Sequence, residues 1–117
     1  MSEMKRGMAT PWGKADWVKE LRPGVYWVST PGHGGLAVAM PLARLLMVRS
    51  ARRFGEHVGG FFWFEEDSAW AIACVALDLH ELLAEKACNC SAAEVHAEAV
   101  KRAAELLAEE ARPEFGR

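Results

Sequence analysis

Apolar residues follow two different periods along this chain. From Gly24 to Thr30, Val25, Trp27 and Ser29 alternate with Tyr26, Val28 and Thr30. A period of two in β-branched and aromatic residues predicts a half-buried strand. Pro31-Gly32-His33-Gly34-Gly35 breaks the run, and Leu36 to Met40 forms a second short apolar stretch. Two such runs around a glycine-rich loop predict a hairpin. Phe61-Phe62-Trp63-Phe64, bounded by Gly59-Gly60, predicts a third strand, with His57 to Gly60 as loop.

Elsewhere the spacing is helical. Pro41 suits a first helical turn, Leu42, Leu45, Leu46 and Arg49 follow, and Gly55 is a stop. Asp67 or Ser68 can cap a helix carrying Trp70, Cys74, Leu77 and Glu81 on one face. Ile72, Val75, Leu79 and Leu82 add apolar positions on other faces, so this helix is expected to be the most buried. Ser91-Ala92-Ala93-Glu94 is a capping box opening a helix from Ala92 to Ala111, with Arg112-Pro113 as its stop. Near the N-terminus, Thr10-Pro11-Trp12-Gly13 is a turn with an aromatic anchor. Trp17 and Leu21, at i and i+4, predict two helical turns over Ala15 to Leu21, ended by Pro23-Gly24. The sum is an α+β domain over residues 10–117 behind a flexible leader, 1–9. Its expected order is β-β-α-β-α-α: a three-stranded antiparallel sheet with helices on one face.

Composition narrows the classes. With 117 residues, 51% apolar and 26% charged, the chain suits one folded domain and neither a disordered tail nor a collagen-like fibre. No apolar run reaches the length of a membrane span, and no secretory signal is apparent. Three cysteines (Cys74, Cys88, Cys90) make no disulfide framework. A reducing cytoplasm is therefore the expected compartment, and the resemblance given below makes it that of a bacterial host. The net charge of −2 conceals a split. Residues 1–60 hold nine Lys/Arg against four Asp/Glu, and residues 61–117 hold five against twelve. Such polarity can steer a charged partner.

Four groups could carry chemistry. His33, among glycines that permit close backbone approach, could serve as acid, base or metal ligand, or simply bond local backbone. No dinucleotide or phosphate-loop spacing surrounds it. Glu65-Glu66-Asp67 could bind a cation or supply a general base, although neighbours on a strand point to opposite faces. His33 beside Glu65 or Glu66 would make the more interesting site. His80, Cys88, Cys90 and His96 have the softness zinc requires, but the Cys-x-Cys spacing is wrong for a zinc knuckle. Arg44, Arg49, Arg52 and Arg53 crowd one helix and suit phosphate or carboxylate recognition, or pairing with the acidic half. Trp12 and Trp17 are less constrained and could anchor an interface, whereas Trp27, Trp63 and Trp70 sit in core-like patterns.

Thr10-Pro11-Trp12-Gly13, Pro23-Gly24-Val25, Ser29-Thr30-Pro31-Gly32-His33-Gly34-Gly35 and Phe64-Glu65-Glu66-Asp67-Ser68-Ala69-Trp70 occur in that order over residues 10–80. This series resembles an uncharacterised domain family found on bacterial phages and plasmids. The resemblance implies a genetic setting and no catalytic residues. Small proteins in that setting often block host defences. The leading expectation is thus a non-enzymatic accessory protein, without cofactor or metal, that occludes a host protein or protein–nucleic-acid complex such as a CRISPR effector or restriction enzyme. Trp12, Trp17, His33, Arg49, Arg52, Arg53, Glu65, Glu66 and Asp67 are its candidate contacts, and it could pair as a homodimer. The alternatives are a small hydrolase or metal-dependent enzyme built on His33 with Glu65 or Glu66, and a nucleic-acid-binding regulator built on the arginine cluster.

Overall fold

The computed structural model describes residues 3–110. A five-stranded antiparallel sheet forms its centre, built from β3 (Trp17–Arg22), β4 (Val25–Ser29), β5 (Gly34–Ala39), β6 (Glu56–Val58) and β7 (Phe61–Glu65). Across the sheet the order is β3-β4-β5-β7-β6. Before it, β1 (Ala9–Thr10) and β2 (Gly13–Lys14) make a small separate hairpin. The helices are α1 (Met40–Leu46), α2 (Arg49–Arg52), α3 (Trp70–Leu77), α4 (His80–Lys86) and α5 (Ala92–Glu110). The α+β class and the β4–β5 hairpin are as expected, but the sheet has two more strands than the sequence predicts.

Both added strands come from hairpins. Trp17–Arg22 is a strand, not two helical turns, and pairs with β4 through the Pro23-Gly24 turn. Gly24 takes the positive φ (86°) that such a turn needs. At the other edge Glu56–Val58, expected as loop, pairs with β7. Gly59 and Gly60 both have positive φ (63° and 87°) and form the two-residue turn between them.

The sheet is covered on both faces. Leu21, Val25, Leu36, Val38 and Phe64 pack against α3, α4 and α5 through Ala73, Cys74, Leu77, Leu83, Val95 and Ala99. On the opposite face, Tyr26, Val28, Ala37, Phe61 and Trp63 form a second cluster with Met4 and Ala15, joined by Trp12 and Val18. The segment expected as a flexible leader is therefore docked through Met4. Met4 is 4% exposed, and the Gly7 N–H donates to the Ala15 carbonyl at 2.7 Å. A sheet with one bare apolar face would leave Tyr26, Phe61 and Trp63 in water, and the N-terminal segment removes that exposure.

Two expected helices are each divided. Met47 and Val48 separate α1 from α2, and Asp78, in the left-handed region at φ 56°, closes α3 before α4 begins. Helix α3 buries Ala71, Ile72, Ala73, Cys74 and Leu77, as its apolar pattern predicts, but Val75, expected to be buried with them, is 46% exposed. The capping box of α5 is formed: the Glu94 N–H donates to Ser91 Oγ, and Glu94 Oε1 accepts from the Ser91 N–H. The expected stop at Arg112-Pro113 lies outside the described residues.

Met4→Ala tests the docked N-terminus. Removing a side chain this buried should cost about 2–4 kcal/mol in chemical denaturation. A free leader would show no change.

Candidate functional site

The loop between β4 and β5 carries His33, and its shape is set by Thr30. The Thr30 N–H donates to the His33 carbonyl at 2.8 Å and closes the loop. The buried Thr30 hydroxyl donates to the same carbonyl at 2.9 Å and lies 3.3 Å from the Trp12 carbonyl. It also accepts from the His33 N–H at 3.2 Å. With its backbone held on both sides, His33 presents its ring at the end of the sheet beside Trp12, whose indole meets it edge-on at 5.7 Å. Trp12 in turn stands edge-on to Trp63 at 5.6 Å. The anchor expected in the Thr10–Gly13 turn thus reaches the site.

Gly35 makes this approach achievable. A Cβ on Gly35 would overlap the Phe64 carbonyl oxygen and lie 2.9 Å from Trp12 Cη2. Only glycine allows β5, β7 and the indole to meet so closely.

The acidic run then arrives opposite. Gly35 pairs with Glu65, so the end of β7 lies beside the start of β5. His33 Nε2 is 3.0 Å from Glu65 Oε2, with the ring N–H donating. Nδ1 lies 3.9 Å from Glu66 Oε1. Asp67 joins them: one ring nitrogen and one carboxylate oxygen each from Glu65 and Asp67 lie within 4.8 Å of one another. The hydrogen bond that the ring donates to Glu65 raises the His33 pKa above the usual imidazole value. Partial burial opposes the shift, and the charges of Asp67, Glu65 and Glu66 reinforce it.

The three acids do not all face one way. Glu65 lies beside Trp12, Trp63 and Ser68 in a cleft of about 270 Å³. Glu66 and Asp67 line a larger groove of about 640 Å³ between the sheet, α4 and α5. Trp27 and Trp70 flank that groove, with Leu83 and Val95, and Glu94 and Glu98 of α5 add two more carboxylates. Arg102 is its one cation among the described residues, and donates to the Asp67 carbonyl at 3.1 Å. His33 thus stands on the ridge between cleft and groove. Trp27 and Trp70 have core-like spacing in sequence, yet both are half-buried on the groove wall.

Other expected contacts are elsewhere. Trp17 is exposed on the edge strand β3 and lines neither the cleft nor the groove. Arg49, Arg52 and Arg53 lie on or next to α2, and Arg53 pairs with Glu110 of α5. Arg44, in α1, also lines neither cavity. His80 and His96 have ring centroids 4.7 Å apart, and His80 Nδ1 is 2.9 Å from Asp78 Oδ1. Cys88 and Cys90 line the groove, and these two histidines do not. Among the described residues, the one group of three clustered donors is His33, Glu65 and Asp67. Cys74 is buried, its thiol pushed up to about 11 by desolvation.

The fold and site define a two-faced α+β domain that carries an imidazole among acids at the end of its sheet. The chain belongs to the DUF7007 family, a domain of unknown function, whose family model matches residues 5–114. No curated protein and no solved structure matches the chain. Among the described residues, no helix is long and apolar enough to cross a membrane.

The His33 ring should titrate above the ordinary 6.5 in NMR spectra recorded with chelator. A raised pKa means that the ion pair stabilises the fold fully below pH 6.5 and that this contribution fades as pH rises through the shifted value. In Glu65→Gln the midpoint should move back down. An unchanged midpoint in that variant would remove Glu65 as the principal cause.

Proposed function

We propose that the protein is a binding module whose acidic, tryptophan-walled groove receives a Lys- or Arg-bearing segment of a macromolecular partner. The observation that carries this reading is the composition of the groove. Glu66, Asp67, Glu94 and Glu98 surround Trp27 and Trp70, with Arg102 as the single opposing cation among the described residues. Carboxylates attract a cation over distance, and indole faces hold it at contact. Leu83 and Val95 offer apolar area for the aliphatic stem of the same side chain.

The His33 geometry gives a hydrolase less support. Nε2 is engaged by Glu65 at 3.0 Å, and Nδ1, 3.9 Å from Glu66, lies on the acidic side of the ridge with carboxylate oxygens as its polar neighbours. Among the described residues, no side-chain hydroxyl or thiol hydrogen-bonds to the ring, so no nucleophile is paired with it. The ring instead ties the β4–β5 loop to the acidic run through its hydrogen bond to Glu65.

The motif series resembling a phage and plasmid domain supplies the biological setting. Nucleic-acid-handling proteins expose basic channels, and an acidic groove and rim are complementary to them. A host CRISPR effector or restriction enzyme, blocked by occlusion of its channel, is the partner class this reading favours.

The test combines a defined arginine-rich peptide with purified effectors. The peptide should bind in a salt-sensitive manner, and the protein should inhibit at least one effector. The double variant Glu94→Lys/Glu98→Lys should weaken peptide binding about tenfold or more, and Trp70→Ala should weaken it severalfold. Peptide affinity unchanged by the charge reversal would overturn the groove. Full inhibition by that same variant would overturn occlusion through it.

A further inference from the structure

The ridge between cleft and groove holds a mixed donor set that peptide recognition does not require. We propose that His33, Glu65 and Asp67 form a binding site for a borderline first-row divalent metal ion, of the zinc, cobalt or manganese type. The three donors come from two chain segments 32 to 34 positions apart, brought together by the β5–β7 register. Their ligating atoms lie within 4.8 Å of one another. Donors on one ion about 2.0–2.2 Å away are separated by roughly 3 Å, so a small closure is needed. The His33 backbone is already fixed by Thr30, and the carboxylates are partly exposed and can swing inward.

The imidazole decides the class of ion. Calcium and magnesium prefer oxygen donors alone, whereas one nitrogen with two carboxylates suits zinc, cobalt, iron or manganese. Glu66 completes the arrangement from outside the donor set. Its Oε1 stands 3.9 Å from Nδ1, where drawing closer lets it accept the Nδ1–H and leave Nε2 as the ligand. A carboxylate behind a ligating histidine is the usual means of fixing ring orientation and tautomer. When the ion binds, it takes the place of the proton that Nε2 shares with Glu65, and that proton passes to solvent. No bond other than metal–ligand bonds forms, and no oxidation state changes. The remaining coordination positions face open solvent at the ridge and are filled by water.

Trp12 supplies the readout, because its indole lies 5.7 Å from the His33 ring. Co²⁺ added alone should quench tryptophan fluorescence in a saturable, one-to-one manner with a micromolar midpoint. Zn²⁺ should reverse the quench by competition, and excess Mg²⁺ should not. His33→Ala should abolish saturation, and Asp67→Asn should raise the midpoint at least tenfold, with folding of each variant checked by circular dichroism. Mn²⁺ added to the unmodified protein should broaden amide signals around residue 33 and residues 65–67 first, a measurement that needs no variant. Absence of a saturable quench up to about 1 mM Co²⁺, broadening centred elsewhere, or binding unaltered in Asp67→Asn would overturn the site. No peptide or partner enters these experiments, so their failure leaves the groove reading standing, and the reverse also holds.

Discussion

Strand β5 is buried along its entire length, and the rest of the molecule is arranged around that constraint. It lies third of five, hydrogen-bonded to β4 on one side and β7 on the other, and none of its residues from Gly34 to Ala39 reaches solvent appreciably. A strand in that position needs cover on both faces. Leu36 and Val38 meet the helices, while Ala37 and Ala39 join the cluster closed by the N-terminal segment. Small residues on the second face let Trp12, Tyr26 and Trp63 come close without an intervening layer. The same economy places glycines at the start of the strand, where Phe64 and Trp12 crowd the backbone. Close packing there, which holds β7 against β5, also sets Glu65 beside the loop that carries His33.

How much of this was legible in sequence depends on how far each signal reaches along the chain. Local signals were sound: alternation from Val25 to Ser29, the capping box at Ser91 and Glu94, and, Val75 apart, the apolar pattern of α3 all describe what formed. Strand β3 is decided by pairing and not by local pattern. Trp17 and Leu21 are four apart, and that spacing lies on one face of a strand as well as of a helix. Pro23-Gly24 likewise serves as helix stop or hairpin turn, and pairing with β4 decided between them. Strand β6 is three residues long and carries little propensity of its own; the Gly59-Gly60 turn and its partner β7 make it a strand. Met4 is a single apolar residue in a polar stretch, and nothing local indicates that a bare sheet face lies waiting for it.

The site was legible as a list of residues and not as a geometry. His33 and the Glu65–Asp67 run stand out by composition, and Trp12 by its turn. Their meeting depends on Gly35 pairing with Glu65, a register set across more than thirty residues of intervening chain. Alternation along β7 was a correct warning, since Glu65 turns to the cleft and Glu66 to the groove. A histidine with two ring nitrogens can face both sides at once, and that is how one loop residue engages acids of opposite orientation. Trp27 and Trp70 were obscured for the opposite reason. Both have the spacing of core residues, and only the opening between the sheet and α5 leaves their faces on the groove wall.

The charge split in the sequence becomes a spatial one only in part. Arg53 meets Glu110, so some of the basic half pairs within the chain. The acids that remain clustered do so against cost, because like charges at close quarters repel each other. Among the described residues, the groups that can oppose that charge are His33 on the ridge, when its ring is protonated, and Arg102 in the groove. A cluster held together by one titratable cation has surplus negative charge whenever that cation loses its proton. Such a surplus favours whatever positive species can reach it, whether a proton, a metal ion or an arginine side chain. Asp67 lines the groove and belongs to the donor cluster on the ridge, so on the proposals made above positive charge bound at one would lower the attraction of the other.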